Sequence, residues 1–452
     1  MSVHLSRRGF LTLAAAGGLA AGPGRVMAEA LSTRGASGGA LPRPAWVRPV
    51  AKPRLRIDDA QYGRFDKRRC VFPTHAGGSY GLYVGQEMEA AILRAAAEAP
   101  YALAARAGFR PRDRALAAAA RTISNTLAGP NSPNRGLLSW LPPEGGAQDF
   151  RVEDGWADAA EATRDVKVAA RFFGAALVGV CELDRRHVYA YDLDGKAIVF
   201  EDVGEPYEAA DRRVIPSRCR HAVVFAVRMS GETVKRAPTA LATAAAHAAY
   251  VQLHQVAGLL AQFVRSLGYT AIPSINDTAA SVPLAVDAGL GELGRHNRLI
   301  TPEYGSMVRL GKLFTDAPLL PDDPIDAGIV DFCRTCAKCA EACPAGALSF
   351  APGPSFATKG PWNNPGHEAW FEDAVKCFTY NNEIATTCMI CLAVCPYSKK
   401  NRAAAHGLVK ATIANTDLLN GVLRSVDDAF GYGGQKNPDA WWELDLPPLG
   451  VD

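Results

Sequence analysis

Eight of the chain's eleven cysteines fall between residues 333 and 395. The first four run Cys333-x2-Cys336-x2-Cys339-x3-Cys343-Pro344, and the second four run Cys377-x10-Cys388-x2-Cys391-x3-Cys395-Pro396. The first run has the spacing with which bacterial two-cluster modules hold [4Fe–4S] centres. The second keeps only the last three positions. Ala385 stands where its first cysteine would be, and Cys377 lies upstream as a replacement. Two-residue gaps let successive thiolates and backbone N–H groups close round one cubane. In two-cluster modules the cysteine before proline ligates the other centre. The expected sets are therefore Cys333, Cys336, Cys339 and Cys395 for one cluster, and Cys343, Cys377, Cys388 and Cys391 for the other. Zinc would favour separated CxxC pairs. The remaining Cys70, Cys181 and Cys219 are too scattered for a disulfide framework and are expected to be small buried hydrophobes.

The 452 residues are too many for one ordinary core. With 48% hydrophobic and 21% charged residues the composition is that of a globular protein. A formal net charge of +3 and the lack of a basic stripe argue against nucleic acid as a partner. The first residues, Ser6-Arg7-Arg8-Gly9-Phe10-Leu11, precede an apolar run, Leu11 to Ala21, and a small-residue site at Val26-Met27-Ala28. This is the pattern of a twin-arginine export signal cleaved after Ala28. Such a substrate crosses the membrane folded, so its clusters can be assembled beforehand. The apolar run is too short to span a bilayer.

Elements that could position the cysteines follow from periodicity. Residues 29–60 are rich in Gly, Pro, Ser and Arg and read as an arm. Helices are expected over 87–99, 112–127 and 159–173, with a loop over 129–146 between the last two. Strands are expected at 175–180, 197–203 and 221–228. A long helix is expected from Thr239 to Leu267, with Leu253, Val256, Leu260 and Phe263 on its apolar stripe. A strand at 269–275, a helix at 281–289 and a strand at 307–314 complete an α/β (α+β) body. Residues 318–330 read as a linker, and residues 408–430 as one tail helix followed by a Trp-rich segment that packs back. The expected division is a signal, 1–28; an arm and helical region, 29–160; a core, 161–325; a ferredoxin-like two-cluster domain, 326–402; and a tail, 403–452.

Clusters carry electrons and need a destination. No P-loop is present, and Gly289-Leu290-Gly291-Glu292-Leu293-Gly294 has its glycines at the wrong steps for a dinucleotide fold. Several stretches precede the cysteines: Asn276-Asp277-Thr278, the glycine run ending Gly294-Arg295-His296, Leu299 to Gly305, and Val308-Arg309-Leu310. Together with the two cysteine runs, they resemble the corrinoid-dependent reductive dehalogenases, most closely over residues 160–400. The export signal fits their respiratory branch. Part of the pattern is shared with the epoxyqueuosine reductases, which are cytoplasmic.

The resemblance implies a nitroreductase-like core holding a base-off cobalamin beside two [4Fe–4S] clusters. It implies a catalytic Tyr250, with Asn276 and Arg309 nearby. From pattern alone Tyr250 is one more residue on a helix face with Leu253 and Ala257, and Asn276 could cap a turn. Arg309 is the more unusual, since an inward arginine on a strand needs a partner or a task. Arg309 beside Tyr250 would favour the phenolate. His247 and His254, a turn either side of Tyr250, read as structural. The implied reaction is reductive removal of halide from an organohalide. A low-potential electron donor, a small membrane-anchor protein and a second copy of the chain are the implied partners, in the periplasm or at the outer face of the cytoplasmic membrane. Two other readings stand beside it: an exported corrinoid iron–sulfur reductase of a non-halogenated substrate, and a non-catalytic ferredoxin-like carrier.

Overall fold

The structure is a computed structural model that describes residues 33–34, 43–72, 80–128, 136–142, 156–399, 404–429, 431 and 433–451. The expected export signal, residues 1–28, lies outside the described residues, as do 129–135 and 143–146 of the expected loop.

Helices α1 (Gln86–Ala102), α2 (Pro111–Ala128) and α3 (Ala159–Phe172) come first. Strand β1 (Leu177–Glu182) follows, then β2 (Ala197–Glu201), β3 (Tyr207–Glu208), β4 (Arg212–Pro216) and β5 (His221–Arg228). The long helix α4 (Ala240–Ser266), β6 (Ala271–Ser274), α5 (Ser281–Asp287) and β7 (Val308–Thr315) complete the core. The central sheet has the order β1-β5-β7-β6, with every neighbouring pair antiparallel. Strands β2, β4 and β3 form a separate three-stranded sheet.

The central strand β5 reads HAVVFAVR, and its six inner residues are all buried. Period-two alternation divides them between two cores. Val223, Phe225 and Val227 face α4, whereas Ala222, Val224 and Ala226 face the α5 side. Helix α4 starts at Thr239, whose side chain accepts from the Ala242 N–H, so one orphan donor of the first turn is satisfied. Its Leu253, Val256 and Leu260 are buried against the sheet. Each such side chain stabilises by roughly 1.5–3 kcal/mol. Gly311 makes this approach possible. A Cβ there would lie 2.6 Å from the Phe225 ring and 3.2 Å from Leu253 Cδ1.

The cysteine region follows as α6 (Ile329–Cys336), α7 (Lys338–Glu341), α8 (Ala374–Glu383) and α9 (Ile390–Ala393). Its two runs repeat a backbone feature. Ala337 after Cys336 and Met389 after Cys388 are both left-handed, at φ 48 and 60. Ala385, in the place of the missing cysteine, is left-handed too, at φ 47. Such turns bend the backbone round a centre, at about 1 kcal/mol or more each for a residue with a Cβ.

Two expectations change. Residues 318–330 are not a free linker. Asp322 accepts from Lys167 Nζ at 2.6 Å and from the Val180 N–H at 2.8 Å, and Ile325–Asp326 pairs antiparallel with Arg48–Pro49. The proline-bearing part stays largely exposed but is tied to α3 and β1 by Asp322, and residues 325–330 are buried. The expected single tail helix is two, α10 (Ala404–Asn415) and α11 (Asn420–Ala429). Thr416 and Asp417 break it by capping: Thr416 Oγ1 accepts from Leu418 N, and Asp417 O from Asn420 N. The Trp-rich end does pack back, with Trp441 Nε1 donating to Thr233 and Trp442 Nε1 to Asp113. No helix among the described residues is long and apolar enough to cross a membrane.

Candidate active site

Three elements bring Tyr250, Asn276 and Arg309 together. Tyr250 lies in the middle of α4, Asn276 just after β6, and Arg309 on β7 with Gly311 and Leu313 on the face toward α4. Asn276 Nδ2 donates to Tyr250 Oη at 3.0 Å. The Arg309 guanidinium carbon is 5.1 Å from the centroid of the Tyr250 ring. One Arg309 nitrogen reaches Met389 Sδ at 3.9 Å, while its Nε is buried without a partner. The turn after β6 is capped by Asp277 rather than Asn276. Its carboxylate accepts from Ser274 Oγ, Ile275 N and Thr278 Oγ1, each at 3.0 Å. Burial pushes that carboxyl up, but Arg213, Lys312 and these hydrogen bonds outweigh it and hold it below the usual range. Asn276 is thus left to face Tyr250.

The two flanking histidines behave differently. The His254 Nδ1–H donates to the Tyr250 carbonyl within the helix. The His247 Nδ1 is buried with no partner, and burial, helped by Arg121 and Arg309, pushes its imidazole down to about 4. His247 is therefore neutral at neutral pH.

Tyr250, Asn276, Arg309, Met389, His247 and His254 line one cavity of about 790 Å³. The same cavity is lined by Cys343, Cys377, Cys388 and Cys391. Cys333, Cys336, Cys339 and Cys395 surround a second, small cavity. The eight thiols thus fall into two sets of four, and all eleven cysteines are free. Burial raises Cys336 and Cys388 to about 11 and Cys377 to about 12, and neighbouring thiols of the same set add to each rise. Four thiolates so crowded need a compensating positive centre. Arg298 supplies part of it for the set on the large cavity. It pairs with Glu372 at 2.8 Å and is held strongly protonated against its burial by Glu372, Cys391 and Cys377. Arg295 instead fixes the other loop, donating to the carbonyls of Cys333, Ser349 and Ala351 at 2.9, 2.7 and 2.7 Å.

Periodicity and spacing gave no sign that the arm enters the cavity. Tyr62 Oη meets His187 Nδ1 at 2.8 Å, His187 Nε2 meets Asp287 at 2.9 Å, and Lys67 Nζ sits 4.8 Å over the Tyr189 ring, all on the cavity wall. Cys70, expected to be a buried hydrophobe, is half-buried and lines the same wall. Cys181 and Cys219 are buried as expected.

Residues 188–319 match the family model described as reductive dehalogenase subunit, and residues 332–398 match a 4Fe-4S double cluster binding domain. The chain is 39% identical over 310 residues to a tetrachloroethene reductive dehalogenase of Sulfurospirillum multivorans, covering 65% of this chain and 62% of that one. It is 30% identical over 328 residues to a trichloroethene reductive dehalogenase of Dehalococcoides mccartyi, covering 63% and 57%. The chain thus spans less than two thirds of these relatives. A 92-residue stretch is 40% identical to an epoxyqueuosine reductase of Bacillus anthracis, covering 20% and 23%. In fold it is similar to a solved catabolic reductive dehalogenase bound to 3-bromo-4-hydroxybenzoic acid, at 21% identity and a TM-score of 0.63, covering 88% of this chain and 50% of that one. A structure described as suggesting a mechanism for B12-dependent dehalogenation matches at 21% identity and a TM-score of 0.63, covering 88% and 51%.

Proposed function

We propose that this chain, which carries a reductive dehalogenase domain followed by a double [4Fe–4S] domain, catalyses R–X + 2e⁻ + H⁺ → R–H + X⁻ on an organohalide. One observation carries this reading. The Tyr250–Asn276–Arg309 group and one set of four cysteines line a single cavity. A proton donor and an electron source thereby face the same space.

The chemistry between them calls for a corrinoid, and the cavity fits one. Its wall holds five buried polar atoms with no partner in the protein: Arg309 Nε, His247 Nδ1, Glu292 Oε1, Trp362 Nε1 and His367 Nδ1. Buried polar groups require partners, and the amide rim of a corrinoid offers both donors and acceptors. Bound there, a corrinoid supplies the low-valent cobalt that reduces a carbon–halogen bond.

The protein's own part is proton delivery and charge stabilisation. Because Asn276 donates to Tyr250 Oη, the tyrosine's own proton is not engaged by it and can be given to the carbon that loses halide. The phenolate left behind keeps the Asn276 hydrogen bond and lies under the Arg309 cation. Among the described residues Arg309 pairs with no carboxylate, so its charge is available for that purpose. Cys333, Cys336, Cys339 and Cys395 would hold the outer cluster. Cys343, Cys377, Cys388 and Cys391 would hold the one at the cavity.

The remaining setting is inferred from the sequence. The Arg7-Arg8 signal supports export by the twin-arginine route, and a respiratory role at the outer membrane face would need a low-potential donor and a small anchor protein. Relatives named for tetrachloroethene and trichloroethene make chloroalkenes the first substrates to try. The test is anaerobic purification with cobalt, iron and sulfide analysis, followed by halide release from aryl, alkenyl and alkyl halides with a low-potential donor. Cobalt together with halide release is expected. Fully cluster-loaded protein without cobalt, or loaded protein that reduces an epoxide and no halide, would overturn the reading.

A further inference from the structure

The cavity of the outer cysteine set contains a histidine that the reaction above does not use. His296 is 1% exposed. It lines the small cavity together with Cys333, Cys336, Cys339 and Cys395, and with Ile300, Phe332 and Tyr397. Neither of its ring nitrogens has a hydrogen-bond partner in the protein. Its close neighbour Gly294 offers no side chain at all, and a Cβ there would already meet Ile300 Cδ1 at 2.3 Å and His296 Cε1 at 3.4 Å. The ring is therefore closely packed and shares its cavity with apolar groups and the four thiols.

An imidazole in any protonation state carries at least one N–H. Leaving that donor buried and unpaired would cost about 1–3 kcal/mol. Within the shared cavity, the side-chain acceptors that remain are the four cysteine sulfurs and the equally unpartnered Tyr397 Oη, so sulfur is the most numerous partner on offer. On the reading that these four cysteines hold a [4Fe–4S] cluster, we propose that His296 donates a hydrogen bond to a sulfur of that cluster and raises its reduction potential. Reduction adds negative charge to the cluster, and an N–H directed at sulfur stabilises the reduced form more than the oxidised one. His296 is thus a positioning and tuning residue of the electron path. The outer cluster would accept electrons more readily from a donor than its buried, thiolate-rich setting alone would allow.

The test uses cluster-loaded holoprotein and its His296→Phe and His296→Gln variants. Iron and sulfide are counted first, then the clusters are titrated by EPR at controlled potential. In H296F one cluster should shift negative, changing the reduced-to-oxidised ratio at fixed potential by about tenfold, or 59 mV for one electron. The other cluster should shift far less. H296Q, which keeps an N–H donor, should recover part of the shift. Unchanged potentials in H296F with eight irons retained would overturn the proposal and point to a buried water as the partner of His296. If H296F does not load, wild-type protein grown with ¹⁵N-histidine decides: a ¹⁵N coupling on a reduced cluster supports the bond, and its absence removes it. Wild-type protein that never holds a second cluster would instead refute the ligand assignment itself, which the iron count distinguishes.

Discussion

At the scale of single residues, the account turns on the Tyr250 hydroxyl. Replacing Tyr250 with Phe should lower turnover by about 10²–10⁴-fold, the usual worth of a positioned proton donor, with cobalt and iron contents unchanged. Asn276→Ala removes one hydrogen bond to Oη, worth about 1 kcal/mol, so about fivefold in kcat is expected, read from halide-release kinetics. Tyr250, Asn276 and Arg309 were nameable from the sequence only through likeness to a family. Periodicity alone makes Tyr250 one more residue on the α4 stripe. Two neighbours of the group were not legible at all. Met389 meets Arg309 from 80 residues away, and the unpartnered nitrogen of His247 depends on packing that spacing does not encode.

At the scale of elements, the core helices were legible from helical periodicity, because each buries one clear stripe. β5, buried on both faces, was legible end to end as a continuous β-branched and aromatic run. The errors lie where polar capping or tertiary pairing decides. Thr416 and Asp417 split the tail helix, and Asp322 ties a proline-rich stretch to Lys167. The close seat of α4 on the sheet, which brings Tyr250 to Arg309, depends on Gly311. Gly311→Val should destabilise the folded protein by about 1–3 kcal/mol through overpacking against Phe225 and Leu253, measured by denaturant unfolding. The displaced cysteine of the second run gives a separate expectation. Cys377→Ala should reduce iron from about eight to about four per chain, leaving the EPR signal of the other cluster in place.

At the scale of the whole molecule, the arm and the tail matter as much as the two matched domains. The arm supplies Arg54 and Arg56 to the cavity wall and the stretch after it Tyr62, Lys67 and Cys70, so residues 53–72 contribute to the site although 29–60 read only as an arm. This burial carries a pH consequence. His247 and His367 are both pushed from the ordinary 6.5 down to about 4, chiefly by burial. In that window the unfolded chain binds protons that the folded chain refuses, so both residues lower stability as pH falls from about 6.5 toward about 4. Above about 7 the effect disappears. Relative to the parent protein, His367→Phe should therefore gain stability near pH 4.5 and lose that relative gain by pH 8, measured by denaturant midpoints. Proton delivery at a cavity fed by two clusters remains the central claim. Its most direct test is the rate of halide release, with reducing equivalents consumed followed alongside, measured on chloroalkenes for parent and Tyr250→Phe proteins with equal cobalt and iron. The parent should release one halide per two electrons, and the variant should release halide about 10²–10⁴-fold more slowly. Equal release by both would contradict the account.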